Sequence, residues 1–316
     1  MADPRSGPLL VAVGGGKGGV GKSFVTANLA LALARRGAAA GQRVTAVDLD
    51  FGGSNLNLFF GETFPARELS DFLDGRADGL DAITQPTRLG NLRYVAGSFD
   101  LVTAVDPVRD RKLDLVREIV GLDADYVLLD LPAGSSPATL DFFFLGDIKI
   151  VVTNPEATAL HNAYGFLKNY LLRRLLTEFR DRREMMRFIL DFYRSERPPP
   201  AATDRTITAL VAALREAFPQ SRAEVAGILQ HDVPFLVLNR ARSRRDRQYL
   251  ERFQAVVERN LGLRCPTLGI VREDRRVGQA VRSARPFLTT HPRHRIARQF
   301  ETWAARLERR PGTDRP

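Results

Sequence analysis

Three aspartates at two strand ends, two lysines in a glycine-rich loop, and one asparagine could do chemistry together. The loop reads Gly14-Gly15-Gly16-Lys17-Gly18-Gly19-Val20-Gly21-Lys22-Ser23. From Gly16 it fits G-x-x-x-x-G-K-[ST], a pattern that turns backbone N–H groups inward around phosphate oxygens. In that pattern Lys22 reaches the β- and γ-phosphates and the Ser23 hydroxyl ligates Mg²⁺. Asp48 and Asp50 follow one apolar run, and Asp130 closes another, Tyr126 to Leu129. Carboxylates beside a bound triphosphate can hold the waters of Mg²⁺ and orient an attacking water. Asn239, followed by Arg240, ends a further apolar run, where an amide can read the edge of an adenine. The chemistry these residues allow is binding of Mg²⁺-ATP and transfer of its terminal phosphoryl group to water.

Such groups act together only if the chain gathers them. Leu9 to Val13 is a short apolar run that reads as a buried strand. Ser23 to Arg36 reads as a helix, with Gly37 as its stop. Strand, loop and helix in that order put the helix's partial positive charge at the phosphates. Further buried strands are expected at residues 43–47, 92–96, 126–130, 148–153, 234–238 and 266–271. Ser70-Asp71 is expected to cap one helix start and Ser136-Pro137 another. The expected architecture is a doubly wound, mostly parallel α/β sheet, whose ligand crevice lies at the carboxyl ends of the strands.

The second lysine, Lys17, is surplus to an ordinary phosphate loop. With it, the Lys17 to Ser23 segment (K-G-G-V-G-K-S) resembles the deviant Walker A motif of the MinD/ParA family of ATPases. Residues 48–56 are similar to that family's D-x-D-x-G-x-x-N-L element, and Val152 to Glu156 to its V-T-x-P-E segment. The resemblance covers roughly residues 9–170 and 233–307 and points to the MinD/FlhG-like branch. It implies that Lys17 reaches the partner's nucleotide in an ATP-dependent homodimer. It implies that Asp50 positions the hydrolytic water, so that Lys17, Lys22 and Asp50 form the catalytic set. It implies that Asp48 supports the metal with Ser23, Asp50 and Asp130, and that Asn239 recognises the base beside Gly16, Gly18, Gly19, Val20 and Gly21. Slow, partner-stimulated ATP turnover and a role in placing a division site, a flagellum or a polar assembly are expected on the same ground. Two departures stand out. Phe24 occupies a position where many members carry a hydroxyl residue, and Val271-Arg272-Glu273-Asp274 replaces the usual I-P-x-D. A site degraded there would leave a non-hydrolysing nucleotide-binding scaffold.

A chain of 316 residues with 44% hydrophobic content can bury one large core, read here as a single domain over residues 1–316. One cysteine, Cys265, excludes an internal disulfide and a thiolate cluster, and with it the iron–sulfur branches of the superfamily. No signal-peptide pattern precedes the first strand and no run is long enough to span a membrane, which points to the cytoplasm, with possible peripheral contact at the inner face of the cell membrane. The net charge of +10 has two readings. Only five of the 47 basic residues are lysine, as a GC-rich genome would produce, yet an anionic membrane or nonspecific DNA would also suit that charge. The DNA reading corresponds to a ParA-like partitioning ATPase. Residues 171–232 read as a helical insertion: a charged amphipathic helix from Leu171 to Arg197, a stop at Pro198-Pro199-Pro200, and a capping box at Ser221–Glu224. It serves either a protein partner or as a cover over the sheet. In the C-terminal helix, about Arg293 to Arg309, Ile296, Phe300, Trp303 and Leu307 share one face. That stripe suits packing as the last core helix, or an anionic bilayer surface.

Overall fold

A computed structural model describes residues 7–51, 53–98, 107–194, 205–231 and 233–309. Gly52, the 198–200 proline run and Arg310 lie outside the described residues. The chain begins with β1 (Leu9–Gly14), α1 (Lys22–Gly37), β2 (Val44–Asp48), α2 (Leu56–Phe60) and α3 (Leu69–Leu73). Next come β3 (Gln85–Pro86), β4 (Leu92–Val95), α4 (Pro107–Gly121), β5 (Tyr126–Asp130) and α5 (Pro137–Leu145). The middle holds β6 (Ile148–Thr153), α6 (Ala157–Glu178), α7 (Arg183–Arg194), α8 (Ile207–Ala217) and α9 (Arg222–His231). The last part holds β7 (Phe235–Ala241), α10 (Arg244–Leu261), β8 (Thr267–Arg272), α11 (Arg275–Arg282), α12 (Phe287–Thr290) and α13 (Arg295–Glu308).

The strands form one sheet in the order β3-β4-β2-β5-β1-β6-β7-β8. Every pairing is parallel except β3 with β4. Parallel strands covered on both faces must be apolar on both, and β1 shows why. Leu10 and Ala12 join the core under α3–α10, while Val11 and Val13 join the core under α1, α2 and α11–α13. The fold is therefore the doubly wound sheet that the motif order implied. The chain leaves β1 at its carboxyl end between β5 and β6, so the glycine-rich loop opens above the centre of the sheet.

Local expectations were met unevenly. Ser136 caps α5 by accepting the Thr139 N–H at 3.1 Å, with Pro137 in the first turn. The cap of α3 is Glu68 rather than Ser70, in a box with Asp71. The helix expected over 171–197 is two helices: α6 runs on to Glu178 and the chain turns before α7. Ser221 and Glu224 make no capping box. Arg182 takes both, donating Nη1 to Ser221 Oγ at 3.0 Å and Nη2 to Glu224 Oε1 at 2.9 Å. Phe179, Met185, Ile189, Phe192, Leu210 and Leu214 are buried in the same core as the sheet residues above them. The 171–232 helices thus share the main core.

The apolar stripe of α13 faces inward. Ile296, Phe300, Trp303 and Leu307 are all buried, and Trp303 is 3% exposed. The indole lies over Gly269 of β8, so close that a Cβ there would fall 2.3 Å from its Cζ2. Of the two uses the stripe suited, packing is the one realised, and no apolar face of this helix is left for a bilayer. Among the described residues no helix is long and apolar enough to cross a membrane.

Candidate functional site

The phosphate loop connects β1 to α1 and packs against α6. Gly16 is required by that packing: a Cβ there would lie 1.9 Å from the carbonyl oxygen of Asn162. Gly21 is required twice over, by a left-handed φ of 96° and by Asn239, whose Nδ2 stands 2.1 Å from where its Cβ would be. Lys22, the first residue of α1, is buried. Lys17 projects outward and donates Nζ to Glu156 Oε2 at 2.7 Å and to Thr158 Oγ1 at 2.9 Å. This ion pair holds the Glu156 carboxyl below its usual range. Lys17 thus contacts its own chain, at the start of α6.

Asp48 and Asp130 are register partners on the adjacent strands β2 and β5, and both are fully buried. Asp48 anchors its loop. Its Oδ1 accepts the Asp50 N–H at 2.9 Å, and its Oδ2 accepts from Ser54 Oγ at 2.8 Å and from the N–H groups of Asn55 and Leu56 at 3.2 and 3.1 Å. The Asp50 carboxylate makes no hydrogen bond or ion pair with a described residue. Asp130 accepts from Thr26 Oγ1 at 3.1 Å, and the Ser23 hydroxyl lies near it. Burial, then the neighbouring Asp48, push the Asp130 carboxyl up to about 8, against the pull of those hydroxyls and of Lys22. Burial likewise raises Asp48. Two carboxylates side by side in a dry site are costly as anions, and a divalent cation next to the Ser23 hydroxyl removes that cost. The donor set therefore fits Mg²⁺.

Asn239 lies near the end of β7, two residues before Ala241. It is buried and donates Nδ2 to the Val20 carbonyl at 2.8 Å. A cavity of about 860 Å³ opens beside it, lined among others by Gly21, Phe24, Arg240, Arg272 and Val277. That volume is ordinary for a nucleotide-sized ligand. Phe24 lines this cavity and also packs edge-on against Phe59, Phe287 and Phe300, with centroids 5.7–6.2 Å apart. The residue that departs from the resembled pattern is an aromatic anchor joining α1 to α12 and α13.

The structure thus brings together Gly16 to Ser23, Asp48, Asp50, Asp130 and Asn239, with Arg240 on the cavity rim. Thr26 and Thr158 escaped the sequence reading, which met Glu156 only as part of a resembled segment. Thr26 lies one helical turn after Ser23, on the same face, and that spacing was a usable signal. Nothing local announces that Glu156 and Thr158 reach Lys17, which they do because β6 lies beside β1.

With this geometry in hand, comparison with known proteins gives a consistent answer. Residues 11–287 match the family described as the CobQ/CobB/MinD/ParA nucleotide binding domain. The septum site-determining protein MinD of Helicobacter pylori is 31% identical over 156 residues, 49% of this chain and 56% of that protein. The antiactivator FleN of Pseudomonas aeruginosa is 31% identical over 173 residues, 54% of this chain and 59% of that protein. The chain therefore spans about half the length of the curated relatives it matches. MinD of Pyrococcus horikoshii, solved in complex with Mg-ADP, superposes with a TM-score of 0.63 at 23% identity, over 95% of this chain and 96% of that one.

Proposed function

Because the chain belongs to the CobQ/CobB/MinD/ParA nucleotide-binding family, we propose that it is an ATPase that dimerises on ATP and serves as a spatial-positioning switch for a cellular assembly. The observation that carries this reading is the pairing of a complete phosphate loop with a second lysine, Lys17, held at the surface by only Glu156 and Thr158. An exposed ion pair is a weak restraint, so Lys17 is free to exchange its partners for a phosphate on another subunit.

In this reading the loop N–H groups and Lys22 bind the phosphate chain, and Asn239 orients the base. Ser23 and Asp130 would hold Mg²⁺, which when bound would neutralise phosphate charge. Thr26 fixes Asp130, and Asp48 acts with them chiefly by shaping the 50–56 loop. Asp50 has an uncommitted carboxylate at the end of that loop and orients the attacking water. Turnover is slow in the isolated protein and rises with a protein partner, for which the 171–232 helices offer a surface. The positioned structure is a division site, a flagellum or a polar assembly.

The experiment is size-exclusion chromatography with ADP and with a slowly hydrolysed ATP analogue, beside a turnover assay. A dimer that forms with the analogue alone, and measurable turnover, support the switch. A monomer in both conditions overturns it. Turnover with ATP-dependent binding to DNA, and none to anionic vesicles at matched salt, would assign the arginine-rich surface to a partitioning ATPase.

A further inference from the structure

The cavity beside Asn239 is more cationic than an adenine needs. Arg240, Arg272, Arg275 and Arg282 all line it, and none of the four forms an ion pair with a described residue. Two acids, Glu273 and Asp274, also line it, and both have partners outside it. Arg242 clamps Glu273 with Nε and Nη2 at 2.6 and 3.2 Å. Asp274 caps α11 through the Arg276 N–H and receives His294 Nε2 at 3.2 Å, with Arg276 and Arg295 at 3.9 Å. Neither Arg242 nor Arg276 lines the cavity. Arg240 also acts on Glu273 and Glu156 through its charge, while Arg272, Arg275 and Arg282 have no such acid partner among the described residues.

Their placement is built. Pairing of β7 with β8 is irregular between Leu238 and Ala241, and Arg240, inside that irregularity, has a φ of 56°. Bulges and left-handed non-glycine residues are features a chain keeps where a side chain must be re-aimed. Arg275 and Arg282 are two turns apart and share a face of α11. Between them lies Gly278, another lining residue, and a Cβ there would meet Arg282 Nη1 at 3.4 Å. Arginine is abundant in this chain, and neighbouring guanidinium groups outside the cavity include paired ones, as in Arg247–Glu251 and Arg264–Glu258.

We propose that this cavity takes a nucleotide anionic at both ends: a 5′-phosphate chain on the glycine-rich loop and a further phosphate on the ribose, received by the Arg240, Arg272, Arg275 and Arg282 cluster. Guanidinium groups match phosphate oxygens two at a time, which makes arginine the fitting residue for such an end. This inference rests on the nucleotide-binding reading of the same site.

The test is calorimetric titration of the full chain with ADP, with 3′-phosphoadenosine 5′-diphosphate and with its 2′-phosphate isomer, at equal Mg²⁺ and ionic strength. One ribose-phosphorylated nucleotide should bind at least tenfold tighter than ADP. Arg275→Ala with Arg282→Ala should bring it within threefold of ADP and leave ADP affinity unchanged. Arg282→Glu should reverse the preference, and Arg247→Ala with Arg264→Ala should keep it. Equal affinity for the three nucleotides, or a preference that survives loss of Arg275 and Arg282, overturns the inference and leaves the nucleotide site standing. Failure of ADP itself to bind the folded chain overturns both.

Discussion

Asn239 donates its Nδ2 to the carbonyl of Val20 at 2.8 Å, joining residues 219 positions apart. This bond ties the cavity wall to the glycine-rich loop. Asn239→Ala strands a buried carbonyl at a cost of about 1–3 kcal/mol. Calorimetry should show ATP affinity falling about tenfold. Asn239→Asp should be worse, since a carboxylate would face the Val20 carbonyl.

Lys22→Ala should abolish nucleotide binding, because among the described residues no other lysine of the loop points inward. Asp50→Ala should bind ATP normally and turn over at least about a hundredfold more slowly, as loss of a water-positioning group does. Single-turnover hydrolysis decides it, and a wild-type rate with Asp50→Ala would remove Asp50 from the chemistry.

Lys17→Ala should leave the monomer's thermal midpoint and ATP affinity near those of the parent, since among the described residues Lys17 bonds only to Glu156 and Thr158, at the surface. The dimer with a slowly hydrolysed analogue should be lost. Dimerisation of the variant, read by light scattering, would confine Lys17 to its own chain.

Gly269→Val forces a side chain into the indole of Trp303, and overpacking of this kind costs about 1–3 kcal/mol. Trp303→Ala should cost about 3–5 kcal/mol. Urea denaturation measures both. Trp303 is the only tryptophan, so its emission should be blue-shifted in the nucleotide-free protein and unmoved by anionic vesicles. A vesicle-dependent shift would mean that α13 leaves the core.

Asp141 of α5 ties three helices together. It accepts from Arg173 Nε and Nη2 at 2.7 and 2.8 Å on α6, and pairs with Lys112 on α4. Burial pushes its carboxyl up, but Arg173 and Lys112 win and hold it below the usual range. A carboxyl depressed in the fold stabilises above its unfolded value, near 4, and that stability disappears as pH falls through the lower folded value. Asp141→Asn should therefore cost about 1–2 kcal/mol at pH 7. The difference from the parent should shrink below about pH 4. Urea midpoints at pH 7 and pH 3 check this, and a pH-independent difference would show packing, not charge, at work.

What the sequence made legible follows from where the determining forces are local. The loop was readable because glycine geometry and the Lys22-Ser23 pair are written in consecutive residues. The strands ending at Asp48, Asp130 and Asn239 were readable because apolar runs closed by a polar residue are a one-dimensional pattern. The edge strand β3 was not, since it is two residues long and includes Pro86. The break between α6 and α7 was missed because the charged amphipathic pattern continues through it. Ser221–Glu224 matched a capping pattern, but Arg182, some forty residues away, competes for both groups. The partners of Lys17 and the four donors to Asp48 belong to the tertiary fold, where spacing along the chain is silent.

Helix α13 lies along α1, the helix that begins with Lys22 and Ser23, and Arg36 reaches Glu308 across 272 residues. On the ribosome that contact cannot form until the chain has been made through α13. Phe24 and the Leu29 face of α1 then wait, unshielded, while the whole sheet is synthesised. Contacts of such separation slow folding and leave nascent apolar surface open to chaperones. Helix α1 is translated ahead of β2 to β8, yet it is covered only when α13 has been made.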